Sequence, residues 1–363
     1  MGGYCYGGGS RVKTLFQRKL GLELIMTGRE RFHAIVEGRS DHCGFWHGDP
    51  NPDSVKKLYA HFGVKNDFEL GIKLGAHCRW VMPEKYNMWT KTDMPMFDVL
   101  SGKKRSSLSE DGVFAETDNM AEVDAFHWPD PKYIDFSGTL KEIDKTVAAG
   151  QAVLSGSWSC FFHNACDFFG MENYFIKMHT DPVIVEAVTR HIVDFYLEIN
   201  RNLYKLAGNK IDAFFFGNDF GSQLDLLISP EHFDRFVMPY FREFTDQAHH
   251  YGYNVVLHSC GSIDRVIPRL IDAGVEVLHP IQAMARNMDA ESLVKKYRGK
   301  IVFLGGVDTQ RILPFGTPEE VRKEVRRLKD LFGPDFIVSP SHESILPNVS
   351  PENIAAMAET AAE

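Results

Sequence analysis

The stretch "NVVLHSCGSIDRVIPRLIDAGVEVLHPIQ", residues 254–282, holds two apolar runs with a helical stretch between them. Val255-Val256-Leu257 leads into His258-Ser259-Cys260-Gly261. "SIDRVIPRLIDAG" then carries helical patterning, Gly274 can stop it, and "EVLHPIQ" begins the next apolar run. This reads as strand, helix, strand.

Working outward, the same unit recurs. "QAVLSGSW" (151–158), "DAFFFGND" (212–219), "IVFLGGVD" (301–308) and "FIVSPSH" (336–342) are short apolar runs, each followed by a helical stretch. Several helix starts carry cap chemistry: Ser229 precedes Pro230, Thr317 precedes Pro318, and Ser350 precedes Pro351. Alternating strand–helix units imply a parallel sheet. Six such units, with one or two more in the irregular region 42–135, approach eight. No Gly-x-Gly-x-x-Gly follows a first strand, which weakens an open dinucleotide-binding sheet. The expected fold is therefore α/β, a (β/α)8 TIM-type barrel in a single domain with an N-terminal extension. Residues 1–40 form that extension and a helix, and 41–363 the barrel. Helical patterning over 11–38 is clearest in "TGRERFHAIVEGR", with Thr27 as cap and Gly38 as stop. The Gly-rich first ten residues are expected to be disordered.

The 363 residues carry a net charge of -9, and 44% are hydrophobic and 25% charged, as in soluble globular proteins. The one basic run, "VRKEVRRLKD" (321–330), reads as the solvated face of a helix. Nucleic acid and anionic membrane are thus not expected partners. Cysteines at 5, 43, 78, 160, 166 and 260 form no dense framework. No signal-peptide core and no apolar run near ~20 residues is visible, so a cytoplasmic protein is expected.

In such a barrel, active sites sit at the C-terminal ends of the strands. Those ends carry Trp158; Asn218, Asp219 and Gln223; His258 and Cys260; Gln282; Asp308 and Gln310; and His342 and Glu343. Strand alternation puts His258 and Cys260 on one face. They are either half of a zinc-type site, or a histidine bonded to backbone beside a cysteine packed as a small hydrophobe. Candidate further ligands are His342, Glu343 and Asp219. Asp219 is expected to serve substrate or catalysis, since Asn218 and Gln223 lie beside it. His47, in "FWHGDPNPDS", can reach the mouth. Cys160 and Cys166 read as core.

The segments "FFFGNDFGSQLDLLISPEHFDRFVMPYFREFTDQAHHYGYNVVLHSCGSIDRVIPRLIDAGVEVLHPIQ", "FLGGVDTQRILPFGTPEEVRKEVRRLKDLFG" and "IVSPSHESILPNVSPENIAAM" together resemble the uroporphyrinogen decarboxylase superfamily. The resemblance implies a distorted (β/α)8 barrel with its cleft at the C-terminal mouth. One branch decarboxylates uroporphyrinogen without a cofactor and holds substrate carboxylates with an Arg-x-Gln-Ala-Gly-Arg segment. The similar region here, "DHCGFWHGDPNPDS", lacks those arginines. The other branch comprises zinc-dependent methyltransferases that exchange methyl groups with a corrinoid protein. His258-x-Cys260 is similar to its His-x-Cys zinc motif. Its third ligand, a cysteine before the last helix, falls at or beside Glu343, where this chain has no cysteine.

The resemblance then implies zinc held by His258, Cys260 and Glu343 or His342. Replacing a thiolate by carboxylate or imidazole makes a harder, more Lewis-acidic zinc, suited to an ether oxygen. The expected function is transfer of a methyl group from a small donor, a methoxylated aromatic ether, to Co(I) of a corrinoid (cobalamin). Asp219, Asn218 and Gln282 would orient substrate or protonate the leaving group. Trp158, Gln223, His47, Asp308 and Gln310 would line its site. The sequence has no Asp-x-His-x-x-Gly corrinoid segment, so the corrinoid is expected on a partner protein docking at the mouth. Two alternatives stand beside this: metal-free decarboxylation with Asp219 as the charged group, and a non-catalytic tetrapyrrole-binding barrel. The oligomeric state stays open, with a homodimer as one option.

Overall fold

The computed structural model describes residues 26–102 and 110–363. The expectations for the Gly-rich start and for the helical pattern over 11–25 lie outside the described residues. Eight short strands form one parallel sheet: β1 Gly44–Phe45, β2 Cys78–Val81, β3 Ala152–Ser155, β4 Ala213–Gly217, β5 Asn254–His258, β6 Val277–His279, β7 Val302–Val307 and β8 Phe336–Pro340. Neighbours in chain order are neighbours in space from β2 to β8, and β1 pairs with β8. The ring closes between β1 and β2. There the His77 N–H donates to the Phe45 carbonyl at 2.9 Å, and the Phe45 N–H donates to His77 Nδ1 at 2.9 Å. A side chain thus stands in for a ladder carbonyl. Burial pushes the His77 imidazole down to about 4, which keeps the ring neutral and able to accept. The fold is the expected (β/α)8 barrel.

Alternation along each strand sorts the core into two layers. Ala213, Phe215, Val256, Val277, Leu304 and Ile337 point into the barrel with Trp46, Trp80 and Trp158. Phe214, Phe216, Val255, Leu257 and Leu278 point out against the helices. The interior is filled by side chains, so chemistry is confined to its rim. Cys166 is buried in the outer layer, on the helix Phe161–Phe169. The basic run lies on the helix Pro318–Phe332, which buries Val321, Val325, Leu328 and Phe332 and turns Arg322 to Glu359, Arg326 to Glu363 and Arg327 to Glu324 and Glu291. Thr317 caps that helix with a full capping box, and Ser229 and Ser350 cap theirs. No described helix is long and apolar enough to cross a membrane.

The floor is sealed by the helix Gly28–Val36, capped by Thr27 and Glu30, which puts Phe32 and Ile35 into the inner layer. Asp212, just before β4, fastens it. Its carboxylate accepts from Arg29 Nε at 2.7 Å and the Val153 N–H at 2.8 Å, and lies 2.6 Å from His33 Nε2. Asp212→Ala strands a buried N–H and unties the helix. It is expected to lower stability by about 3 kcal/mol, read as a melting temperature lower by roughly 4 °C. Asp212→Asn keeps an acceptor and should lose less.

Candidate active site

The parallel register carries the chemistry. Gly217 lies opposite His258, and His258 lies opposite His279. Three adjacent strands therefore end level, and the residues just beyond them meet. The Asn218 N–H donates to the His258 carbonyl at 3.0 Å, and the Ser259 N–H donates to the His279 carbonyl at 2.8 Å. These bonds extend the ladder past the strands and hold the loops in place.

His258 is 4% exposed. Its Nε2 lies 3.2 Å from Asp219 Oδ1 and 3.4 Å from Cys260 Sγ. The Cys260 N–H donates to the same Asp219 oxygen at 2.8 Å. On the other side of the ring, Nδ1 lies 3.0 Å from His279 Nδ1 and 3.3 Å from Glu343 Oε2. His342 lies close enough to Cys260 to act on its thiol. Its ring stands edge-on to His258 at 5.9 Å, and its Nδ1 accepts from the Ser344 N–H at 3.1 Å.

These groups polarise one another. Burial alone would raise the Cys260 thiol, yet His258 and His342 together hold it below its ordinary range. Burial likewise works against charge on His258 and is outweighed by the Glu343 charge and the Asp219 and Cys260 contacts, which hold the imidazole well above its usual value. Asp219 is held below the carboxylate range against its own burial, by His258 and the Cys260 N–H. His279 goes the other way: burial first, then the charges of His258 and His342, push it well below. The result is a cluster of anionic donors beside cationic imidazoles.

The donor geometry fits a metal. His258 Nε2, Cys260 Sγ and Asp219 Oδ1 lie within 4.8 Å of one another. Zinc bonds of about 2.0–2.3 Å in tetrahedral array place neighbouring donors roughly 3.3–3.6 Å apart. The His258 separations of 3.2 and 3.4 Å are close to that. A second set of possible donors, His279 Nδ1 and Glu343 Oε2, gathers 3.0 and 3.3 Å from His258 on its Nδ1 side. Glu343 thus belongs to the side of the ring away from Cys260, while Asp219 shares the cysteine's side.

The remaining residues from the sequence are dispersed. Asn218 is fully buried, and its amide is spent on the loop after β3: Oδ1 accepts from the Phe162 N–H at 2.9 Å and Nδ2 donates to the Ser159 carbonyl at 3.3 Å. Gln282 Oε1 accepts from the Gly261 N–H at 2.5 Å. Asp308 Oδ1 caps a turn, accepting from the N–H groups of Gln310 and Arg311 at 2.7 and 3.2 Å. Gln223 and Gln310 are exposed on the rim. His47 is buried away from the cluster, with Nε2 3.0 Å from Asp67 Oδ1. Trp158 does reach the cluster, its ring 5.4 Å from His258 and 4.9 Å from Trp80.

Two site residues go unmarked in the sequence reading. His279 sits in plain view in "EVLHPIQ", and aligning the β5 and β6 runs would have paired it with His258. Glu84 follows β2. Its Oε1 accepts from Ser157 Oγ at 2.6 Å and the Trp158 N–H at 2.9 Å, so it anchors the Trp158 loop. Burial raises its carboxyl above the usual range, and nothing in its sequence context signals this.

The family model described as uroporphyrinogen decarboxylase (URO-D) matches residues 110–363. The chain belongs to the uroporphyrinogen decarboxylase family. Among solved structures, a methyltransferase from Methanosarcina mazei superposes with a TM-score of 0.65 at 16% identity, covering 93% of this chain and 98% of that one. At that identity the likeness is one of fold. No curated protein matches the chain in sequence. The family match takes in β3 through β8, and with them His258, Cys260, Asp219, His279 and Glu343.

Proposed function

We propose that this family member is a zinc-dependent methyltransferase. It would move a methyl group from a small donor, a methoxylated aromatic ether, to the Co(I) corrinoid of a partner protein. The observation that carries this reading is the convergence of His258 Nε2, Cys260 Sγ and Asp219 Oδ1 at the level ends of two adjacent strands, β4 and β5. Those three residues would hold the zinc, with His342 beside the sulfur. Bound there, zinc would supply Lewis acidity to the donor heteroatom.

The chain's own groups supply the rest. Trp158 and Trp80, in contact at 4.9 Å, present an aromatic wall next to His258, against which a planar ring can pack. Asn218, Gln282 and Glu84 would position loops rather than touch substrate, since their hydrogen bonds run to backbone or to Ser157. Leu224, Met284 and Leu346, on the loops after β4, β6 and β8, are 62%, 38% and 46% exposed, and Phe315, ending the short helix Ile312–Phe315 after β7, is 76% exposed. An apolar rim around a mouth suits a protein partner that must close over it.

The charge of the mouth argues against a polycarboxylate substrate. Asp49, Asp67, Glu84, Asp219 and Glu343 lie on the loops and helices around it; the cation beside the Trp80 ring, Lys85, is already paired with Asp49, and the buried Arg79 is turned outward to Glu142. Carboxylate recognition calls for bidentate arginines.

The test supplies zinc-loaded protein with a panel of methoxyphenols and chemically reduced cob(I)alamin. The expected result is loss of the Co(I) absorbance, appearance of methylcobalamin and of the free phenol, and abolition by a chelator. Carbon dioxide release from uroporphyrinogen, or tight tetrapyrrole binding without turnover, would replace this reading with decarboxylation or with carriage.

A further inference from the structure

His258 uses its two ring nitrogens on opposite sides. Only Nε2 faces Cys260 and Asp219. Nδ1 faces the core, where His279 Nδ1 lies 3.0 Å away and Glu343 Oε2 3.3 Å away. The two neighbours are not equivalent. Glu343 Oε2 is buried and makes no hydrogen bond among the described residues, so it acts on the ring as a nearby charge. The hydrogen bond runs between the two Nδ1 atoms.

Two imidazoles share a hydrogen only when one nitrogen carries it and the other offers a lone pair. His279 is fully buried, edge-to-face with Trp46 at 5.4 Å and Phe215 at 5.6 Å. Such surroundings disfavour a charged ring. With His258 Nε2 turned to Cys260 and Asp219 as a ligand, the His258 ring hydrogen sits on Nδ1. His279 Nδ1 must then accept it, and His279 carries its own proton on Nε2, which has no partner among the described residues.

We propose that His279 is a positioning residue: its Nδ1 lone pair accepts the Nδ1–H of His258, fixing the tautomer and ring angle in which His258 Nε2 is the metal-facing nitrogen. The inference rests on the metal reading of this site. The position is built by the backbone, since β5 and β6 pair with His258 opposite His279 and the Ser259 N–H donates to the His279 carbonyl. A ligating histidine generally has its second nitrogen held by an outer partner, and that partner controls affinity. Here a neutral imidazole fills the role.

The test compares full-length wild type with His279→Leu, which removes the acceptor, and with His279→Asn, whose amide oxygen can replace Nδ1. Each is titrated with zinc against a chelating indicator, and with Co(II), whose ligand-field and thiolate charge-transfer bands report the ligand set. Melting curves accompany both. The expected result is about 10–100-fold weaker zinc binding and altered Co(II) bands in the leucine variant. The asparagine variant should recover most of both, even where its buried amide makes it melt below the leucine variant. Unchanged affinity and bands in His279→Leu would overturn the inference alone. So would equal losses in both variants, because ring volume rather than an acceptor would then be what matters. A wild-type chain that binds neither ion would overturn the metal reading and this inference with it.

Discussion

Cys260→Ser is expected to leave the barrel folded and to abolish both zinc binding and methyl transfer. The thiol is the one soft donor in the His258, Cys260 and Asp219 set. His258 and His342 already draw it toward thiolate in the free protein. A serine hydroxyl at this place stays protonated and is a poor zinc ligand. The loss should therefore exceed the ~10–100-fold that removal of an outer-shell partner typically brings. The folding penalty is small, because Cys260 is only half-buried and its backbone bond to Asp219 survives. Elemental analysis of wild type and variant side by side decides the matter. About one zinc per wild-type chain and none in the variant, with matching melting curves, is the expected pair. A variant that keeps its zinc and its turnover would remove Cys260 from the site. Absence of zinc from both, even after adding it back, would return "HSCG" to packing or substrate contact.

How far the sequence displays all this follows from burial. The strands β3 to β8 are legible because each is covered on both faces, and their residues read as near-continuous apolar runs such as "AFFFG" and "VVL". β1 is two residues long and β2 is "CRWV", whose Arg79 faces the helices, so neither leaves such a run. The closing bond from Phe45 to the His77 ring leaves no pattern at all. At the site, His258 and Cys260 are legible from a period of two. The choice between Asp219 and Glu343 is not, because it depends on which ring nitrogen each approaches, and that is set by loops over eighty residues apart in the chain. Asn218 and Asp308 look like chemistry at strand ends, yet their side chains are consumed by backbone groups, N–H for Asp308 and both N–H and C=O for Asn218. A polar residue at a barrel rim has two employers, substrate and loop, and composition does not separate them.

Gly261→Ala should do more harm than one methyl group suggests. Gly261 has φ +88°, and a Cβ there would lie 2.1 Å from the Gly221 carbonyl oxygen and 2.3 Å from its carbon. Both neighbours are backbone, so no side chain can swing clear. The loops after β4 and β5 also share the bond from the Ser262 N–H to the Ser222 carbonyl at 2.7 Å. To admit the methyl group, they must part. Parting draws the Gly261 N–H from Gln282 Oε1 and shifts Cys260 relative to Asp219. The strained backbone alone costs about 1–3 kcal/mol, and a displacement near 1 Å in a catalytic array can cost about 10²-fold in rate. The expected variant melts several degrees lower, binds zinc more weakly and turns over about 10²-fold more slowly. Gly252→Ala is the control. Its φ is +79°, but nothing lies within 4 Å of the added Cβ, and it sits in the turn ahead of β5, at the opposite end of the strand. It should show the backbone strain without the loss of zinc. If the two variants lose stability equally and both keep zinc, the close approach of the β4 and β5 loops does not hold the site together.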